Sequence, residues 1–298
     1  WEKDLMMRCY LLPKTGQSLR RPMMENHDLQ PVLSVRNLQT WFPGKNHIVK
    51  AVDDVSLDVY PGRITALIGG SGSGKSVMSL SILDLIESPG RVVGGEVLLN
   101  GRDLRKLSEK EMQKVRGKEI AMIFQEPTSA LNPVIKVKKH MLETLRIHDP
   151  SVTMQNSWDL FNKALVRVGL LHSESVLESY PFELSGGMCQ RVMVAMGLIA
   201  NASVLIADEP TSSLDLTTQA AILEELERIR DLGVGIILIT HDLGVVAQTA
   251  DYMYVIKDGK IVEHGNVQNV FQAPQNEYTK KLMEHIDIRR EYAKEKAE

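Results

Sequence analysis

The sequence predicts an open α/β fold, and three observations carry that prediction. Short apolar, β-branched runs suited to buried strands occur at Ile64–Ile68, Val204–Ala207 and Ile236–Thr240. A glycine-rich octapeptide, Gly69 to Ser76, joins the first run to a segment with helically spaced apolar residues, Val77 to Ile86. Polar residues then stand at the C-terminal tips of the other two runs, which is where open α/β sheets hold ligands.

Each element has its own logic. The octapeptide reads Gly-Gly-Ser-Gly-Ser-Gly-Lys-Ser and fits the P-loop pattern of a glycine, four residues, then Gly-Lys-Ser. Gly69, Gly70, Gly72 and Gly74 let backbone N–H groups turn inward toward phosphate oxygens, with Ser71, Ser73 and Val77 completing the contact set. Lys75 would neutralise the β and γ phosphates, and the Ser76 hydroxyl would hold the magnesium ion that bridges them. The ligand predicted is Mg-ATP or Mg-GTP. Ile120–Phe124 is a further strand-like run, and Gln125 after it offers an amide that can reach metal and water without adding charge. Leu184 to Arg191 opens a helix running through Val192 to Ala200, with Ser185 as N-cap and bare N–H groups at Gly186 and Gly187, a second anion-seeking helix start. Asp208, at the tip of its strand, would orient magnesium through its water shell, and Glu209 would polarise the water that attacks the γ-phosphate. His241, delivered to the same edge by Ile236–Thr240, would contact the γ-phosphate and that water.

Composition narrows the alternatives. With 298 residues, 43% hydrophobic, the chain can bury a full core. A net charge of −3 supplies no basic field for nucleic acid. The longest apolar run, Val192 to Ala200, is about half the roughly 18 residues needed to span a bilayer, so a membrane role must come through partners. Cys9 and Cys189 are far apart and lack metal-ligand spacing, which argues against a disulfide framework or a zinc site. Residues 1–30 read as a disordered or vector-derived leader, with Met23 or Met24 as a candidate native start. Asp287 to Glu298 is dense in charge and reads as a solvated helix or frayed tail.

Taken together these motifs resemble the ATP-binding cassette family, the nucleotide-binding subunits of ABC transporters, from about Val32 to Leu282. They stand in the family order: Walker A at Gly69 to Ser76, Q-loop at Gln125, signature at Leu184 to Gln190, Walker B at Val204 to Glu209, D-loop at Ser212-Ser213-Leu214-Asp215, and switch histidine at His241. The resemblance implies a P-loop NTPase cassette over 31–265, with a RecA-like core, an antiparallel β subdomain and an inserted helical subdomain at about 126–200, followed by a C-terminal helical extension over 266–298. It also implies an aromatic stacked on adenine, Phe42 with Trp41 as the alternate. The cofactors implied are ATP and Mg2+. The partners implied are a second ATPase subunit, most simply a different one, two membrane permeases and an extracytoplasmic solute-binding protein, placing the chain at the cytoplasmic face of the membrane.

Within the family, Phe124-Gln125-Glu126-Pro127, Ala130-Leu131-Asn132-Pro133 and the tail Phe271-Gln272-Ala273-Pro274 with Tyr278-Thr279 resemble the peptide and nickel importer group. Gly69-Gly70-Ser71, Tyr180-Pro181-Phe182-Glu183 and His241 to Val246 look like the nickel-import ATPase, because peptide members usually carry an acidic residue at the position of Gly70. Nickel or a nickel chelate is therefore the expected cargo, with dipeptides or oligopeptides as the alternative. A non-transport cassette ATPase of translation or DNA repair is the alternative of another class.

Overall fold

The computed structural model describes residues 30–44, 47–126, 130–212 and 214–284. The leader up to residue 29, Pro127, Ser213 and the charged stretch from Asp287 lie outside the described residues.

The chain opens with β1 (Leu33–Pro43) and β2 (Ile48–Val59), passes through β3 (Ile64–Ile68) into α1 (Lys75–Ile82), and returns as β4 (Arg91–Leu99) and β5 (Arg102–Asp103). β1 pairs antiparallel with both β2 and β4, giving one sheet in the order β2-β1-β4-β5. Along β2, Val55, Leu57 and Val59 are buried while Ser56 and Asp58 are not, the period of two expected of a sheet with one wet face.

After α2 (Glu109–Val115) and β6 (Ile120–Ile123) comes a helical layer: α3 (Val137–Arg146), α4 (Met154–Arg167), α5 (Ser173–Glu178) and α6 (Gly186–Ile199). The core then resumes through β7 (Val204–Asp208), α7 (Leu216–Asp231), β8 (Gly235–Ile239), α8 (Leu243–Thr249), β9 (Tyr252–Lys257), β10 (Lys260–Asn266) and α9 (Val267–Gln272), and residues 277–284 are helical. The second sheet has the order β10-β9-β3-β8-β7-β6, parallel except for β10.

That sheet is the middle layer. Every residue of β3, β7 and β8 is buried, so these strands are continuous apolar runs instead of alternating ones. The two faces of β7 and β8 serve two cores, while Ala66 and Ile68 of β3 join a third with Val255 and Val270. Val204, Ile206, Ile237 and Ile239 join Val35, Leu38, Leu57 of the antiparallel sheet and Met78, Ile82 of α1. Leu205, Ala207, Ile236 and Leu238 join Phe161, Leu165, Val192 and Val194 of the helical layer. The antiparallel sheet, parallel core and helical layer are those expected.

A buried ion cluster ties helical layer to core. Glu225 on α7 is 2% exposed and accepts from Arg167 of α4 at 2.7 Å through one oxygen and from Arg228 at 2.7 Å through the other.

One helix is shorter than its spacing predicts. The apolar pattern runs to Ile86, yet α1 ends at Ile82. Arg116 donates to the carbonyls of Leu83 and Asp84 at 2.8 and 3.0 Å, and Asp84 turns to φ 52°, which ends the helical path.

Candidate active site

The parallel register sets the site. Leu67 of β3 and Asp208 of β7 both align with Ile239 of β8, and Ile123 of β6 aligns with Ala207. The segments leaving these strands, Gly69, Glu209, His241 and Gln125, therefore emerge along one edge of the sheet.

The glycine loop is shaped by close backbone approaches. At Gly74, φ is 106° and an added Cβ would lie 2.2 Å from the Ala51 carbonyl oxygen; at Gly69 it would lie 2.3 Å from that of Ile256. Lys75 begins α1, and Nζ donates to the Gly69 and Gly70 carbonyls at 2.8 and 3.0 Å. Burial pushes its pKa down, opposed by the negative charge of Glu209 and Asp208. Ser73 carries a buried hydroxyl with no hydrogen-bond partner, while Ser71 and Gly72 are exposed at the loop's tip. Ser76 and Val77 follow in the first turn, whose N–H groups have no intrahelical partners and suit an anion.

Opposite the loop, Asp208 is 2% exposed and one carboxylate oxygen, Oδ1, is buried without a partner. Burial raises its pKa, the Ser76 hydroxyl hydrogen-bonded to it lowers it, Glu209 raises it and Lys75 lowers it, with a net rise. An orphaned buried carboxylate oxygen beside a hydroxyl is a donor set that fits Mg2+. Mg2+ commonly takes one or two protein oxygens and completes its shell with water and phosphate.

Glu209 is held from several sides. Its backbone adopts φ 49°, its N–H donates to the Ile239 carbonyl at 2.9 Å, and its carbonyl accepts from Ser212 Oγ at 2.9 Å and from Gln190 Nε2 at 3.0 Å. His241 Nδ1 lies 2.8 Å from Glu209 Oε1. The sequence pointed to both residues but not to their pairing, and it gave Gln190, a buried amide, as the end of the signature without its contact with Glu209.

Three further expected groups lie outside this hydrogen-bonded set. Gln125 lies exposed in the bend after β6, with its backbone level with Glu209 by strand register. Ser185 caps α6, accepting from Met188 N–H at 3.3 Å, but it and Gly186 are exposed, and among the described residues no hydrogen bond or ion pair joins this turn to the glycine loop. Phe42 has its ring against Ile86 and Gly90, where an added Cβ would be 2.4 Å from it. Trp41 has Lys50 Nζ 4.9 Å from its ring centroid, and it is the Lys50–Ala51 backbone that abuts Gly74 and Gly259. Cys189 is buried, donating to the Pro181 carbonyl at 3.4 Å.

Comparison with known proteins agrees with this geometry. Residues 52–212 match the family model for the ABC transporter. The chain is 44% identical over 262 residues to the peptidoglycan transport ATP-binding protein YejF of Agrobacterium fabrum, covering 87% of this chain and 48% of that protein, so it spans about half that relative's length. It is 40% identical over 269 residues to the dipeptide transport ATP-binding protein DppD of Escherichia coli, covering 89% of this chain and 80% of that one. Among solved structures, the ATP-binding cassette MJ0796, described as a dimer in a post-hydrolysis state bound to ADP and Pi, superimposes with a TM-score of 0.73 at 25% identity, covering 79% of this chain and 98% of that one. A glycine loop facing an acidic strand tip, a capped signature helix and this degree of likeness lead to one conclusion: the chain belongs to the ABC transporter family of ATP-binding cassettes, which are ATPases.

Proposed function

We propose that this chain is the ATP-hydrolysing subunit of an ABC importer for peptides, working with membrane permeases and an external solute-binding protein. The observation that carries the hydrolytic part is the meeting of Lys75, Asp208, Glu209 and His241 at one sheet edge. The glycine loop and the first turn of α1 bind the triphosphate, and Lys75 neutralises it. Asp208 and Ser76 hold Mg2+, which when bound supplies positive charge to the phosphate oxygens. Glu209 accepts the proton of the attacking water, and His241, donating from Nδ1 to its carboxylate, sets that carboxylate's direction. Gln125 and the adenine-facing aromatic, Phe42 or Trp41, complete the pocket.

The turn at Ser185–Gly187, exposed at Ser185 and Gly186, supports a split site, in which each cassette closes its turn over the nucleotide of a second one, identical or different. MJ0796, solved as a dimer with ADP and Pi, supports that arrangement by its likeness. Among the described residues no helix is long and apolar enough to cross a membrane, so attachment to the cytoplasmic face would run through the permeases.

The relatives favour peptides over nickel as cargo, since the names of those found speak of dipeptide and peptidoglycan transport. Gly70, which pointed to nickel, has a local reason instead: a Cβ there would sit 3.1 Å from the Tyr278 hydroxyl. The deciding experiment reconstitutes the chain with its permeases and compares stimulation of ATP turnover by peptide-loaded and nickel-loaded binding protein. Stimulation by peptide is expected; stimulation by nickel alone would reverse the choice, and turnover insensitive to both would reject the importer reading.

A further inference from the structure

The tail Phe271 to Thr279 has no task in the site described above, yet it folds back onto the glycine loop. Glu263 of β10 accepts the backbone N–H groups of Gln275 and Asn276 at 2.7 and 3.1 Å, and Asn276 Oδ1 accepts that of Tyr278 at 2.8 Å, which together start the helical stretch 277–284. Tyr278, Leu282 and Met283 then pack on a core of Ala66, Ile68, Val255 and Val270. Lys257 Nζ lies 5.1 Å from the Tyr278 ring centroid. This docking carries the phenol to the loop, where Gly70 N–H donates to the Tyr278 hydroxyl at 2.8 Å.

Gly70 N–H and the Gly69 carbonyl belong to one planar peptide unit and point to its opposite edges. Lys75 Nζ donates to that carbonyl at 2.8 Å. Tyr278 and Lys75 thus hold two edges of the same plane, and tilting the plane moves the oxygen against which the ammonium stands. We propose that Tyr278 is a positioning residue for Lys75, so that docking of residues 274–284 sets the loop's affinity for the triphosphate. The inference rests on the nucleotide reading of the loop and is independent of the cargo.

The test is Tyr278→Phe, which keeps the ring, its apolar packing and its contact with Lys257 but removes the acceptor. Binding of a fluorescent ATP analogue by the purified chain, and KM for ATP in the assembled transporter, should weaken about fivefold, the equivalent of one net hydrogen bond of about 1 kcal/mol. Turnover at saturating ATP should stay within about twofold, because the lost contact orders binding and touches no reacting atom. An unchanged dissociation constant in a folded variant overturns the proposal, as does a fall in kcat equal to the loss in kcat/KM. Should that variant fail to fold, Glu263→Gln, which loosens the anchor and leaves Tyr278 intact, must weaken the analogue in the same direction or the proposal falls. Failure of the unaltered chain to bind the analogue would overturn the nucleotide reading along with it.

Discussion

At Glu209 the backbone is bent into the left-handed region at φ 49° and its carbonyl is clamped by Gln190 and Ser212, which fixes the main chain from which the carboxylate reaches His241. Replacing that carboxylate by an amide of the same shape removes the proposed base and little else. Glu209→Gln should cut ATP hydrolysis by roughly 10² to 10⁴ while leaving ATP binding in place, to be read by phosphate release beside nucleotide titration. Asp208 invites the opposite kind of test. Its pKa is raised chiefly by burial, so the stability it contributes is full below the ordinary carboxylate range and is lost as pH rises through its folded value. Asp208→Asn should therefore melt higher than the parent in nucleotide-free, chelator-treated buffer at neutral pH, a gap that narrows on acidification, while Mg-dependent turnover disappears. Equal melting at neutral pH would reject the burial account.

Among the elements, legibility followed locality. β3, β7 and β8 were readable because strands buried on both faces must be unbroken apolar runs, and the polar residues after them mark the sheet's ligand edge. The end of α1 was not, since the side chain that stops it, Arg116, lies 33 residues beyond Leu83. Tyr278 was hidden more deeply: its partner Gly70 is 208 residues away, and nothing in a Tyr-Thr pair near a chain's end announces a contact with a loop. The glycine loop, Asp208 and Glu209 were legible as chemistry, but the His241–Glu209 bond and the Gln190 clamp depend on side-chain directions that only the fold sets. For α1 the expectation is concrete. Arg116→Ala strands two carbonyls and should cost about 1–3 kcal/mol, measurable as a lower midpoint in urea with an unchanged slope. An unshifted midpoint would mean that water satisfies those carbonyls.

On the scale of the whole molecule, the helical layer meets the core through an apolar seam and polar ties that include the Glu225 cluster with Arg167 and Arg228, and the Gln190 amide on the Glu209 carbonyl. Removing the shared carboxylate takes away the ion pair that joins Arg167 of α4 to α7, while Arg228 keeps Glu224 at 3.9 Å. Glu225→Ala should destabilise the protein by about 1–3 kcal/mol, with hydrogen exchange in α4 rising before that in β7 and β8. A loss spread evenly over layer and sheet would show the cluster to be part of one indivisible core. The Gln190 tie ends on the backbone of Glu209 itself. Any movement of the helices that keeps this contact therefore travels with the main chain that carries the proposed base, so a shift of α6 is felt at Glu209 without passing through the nucleotide.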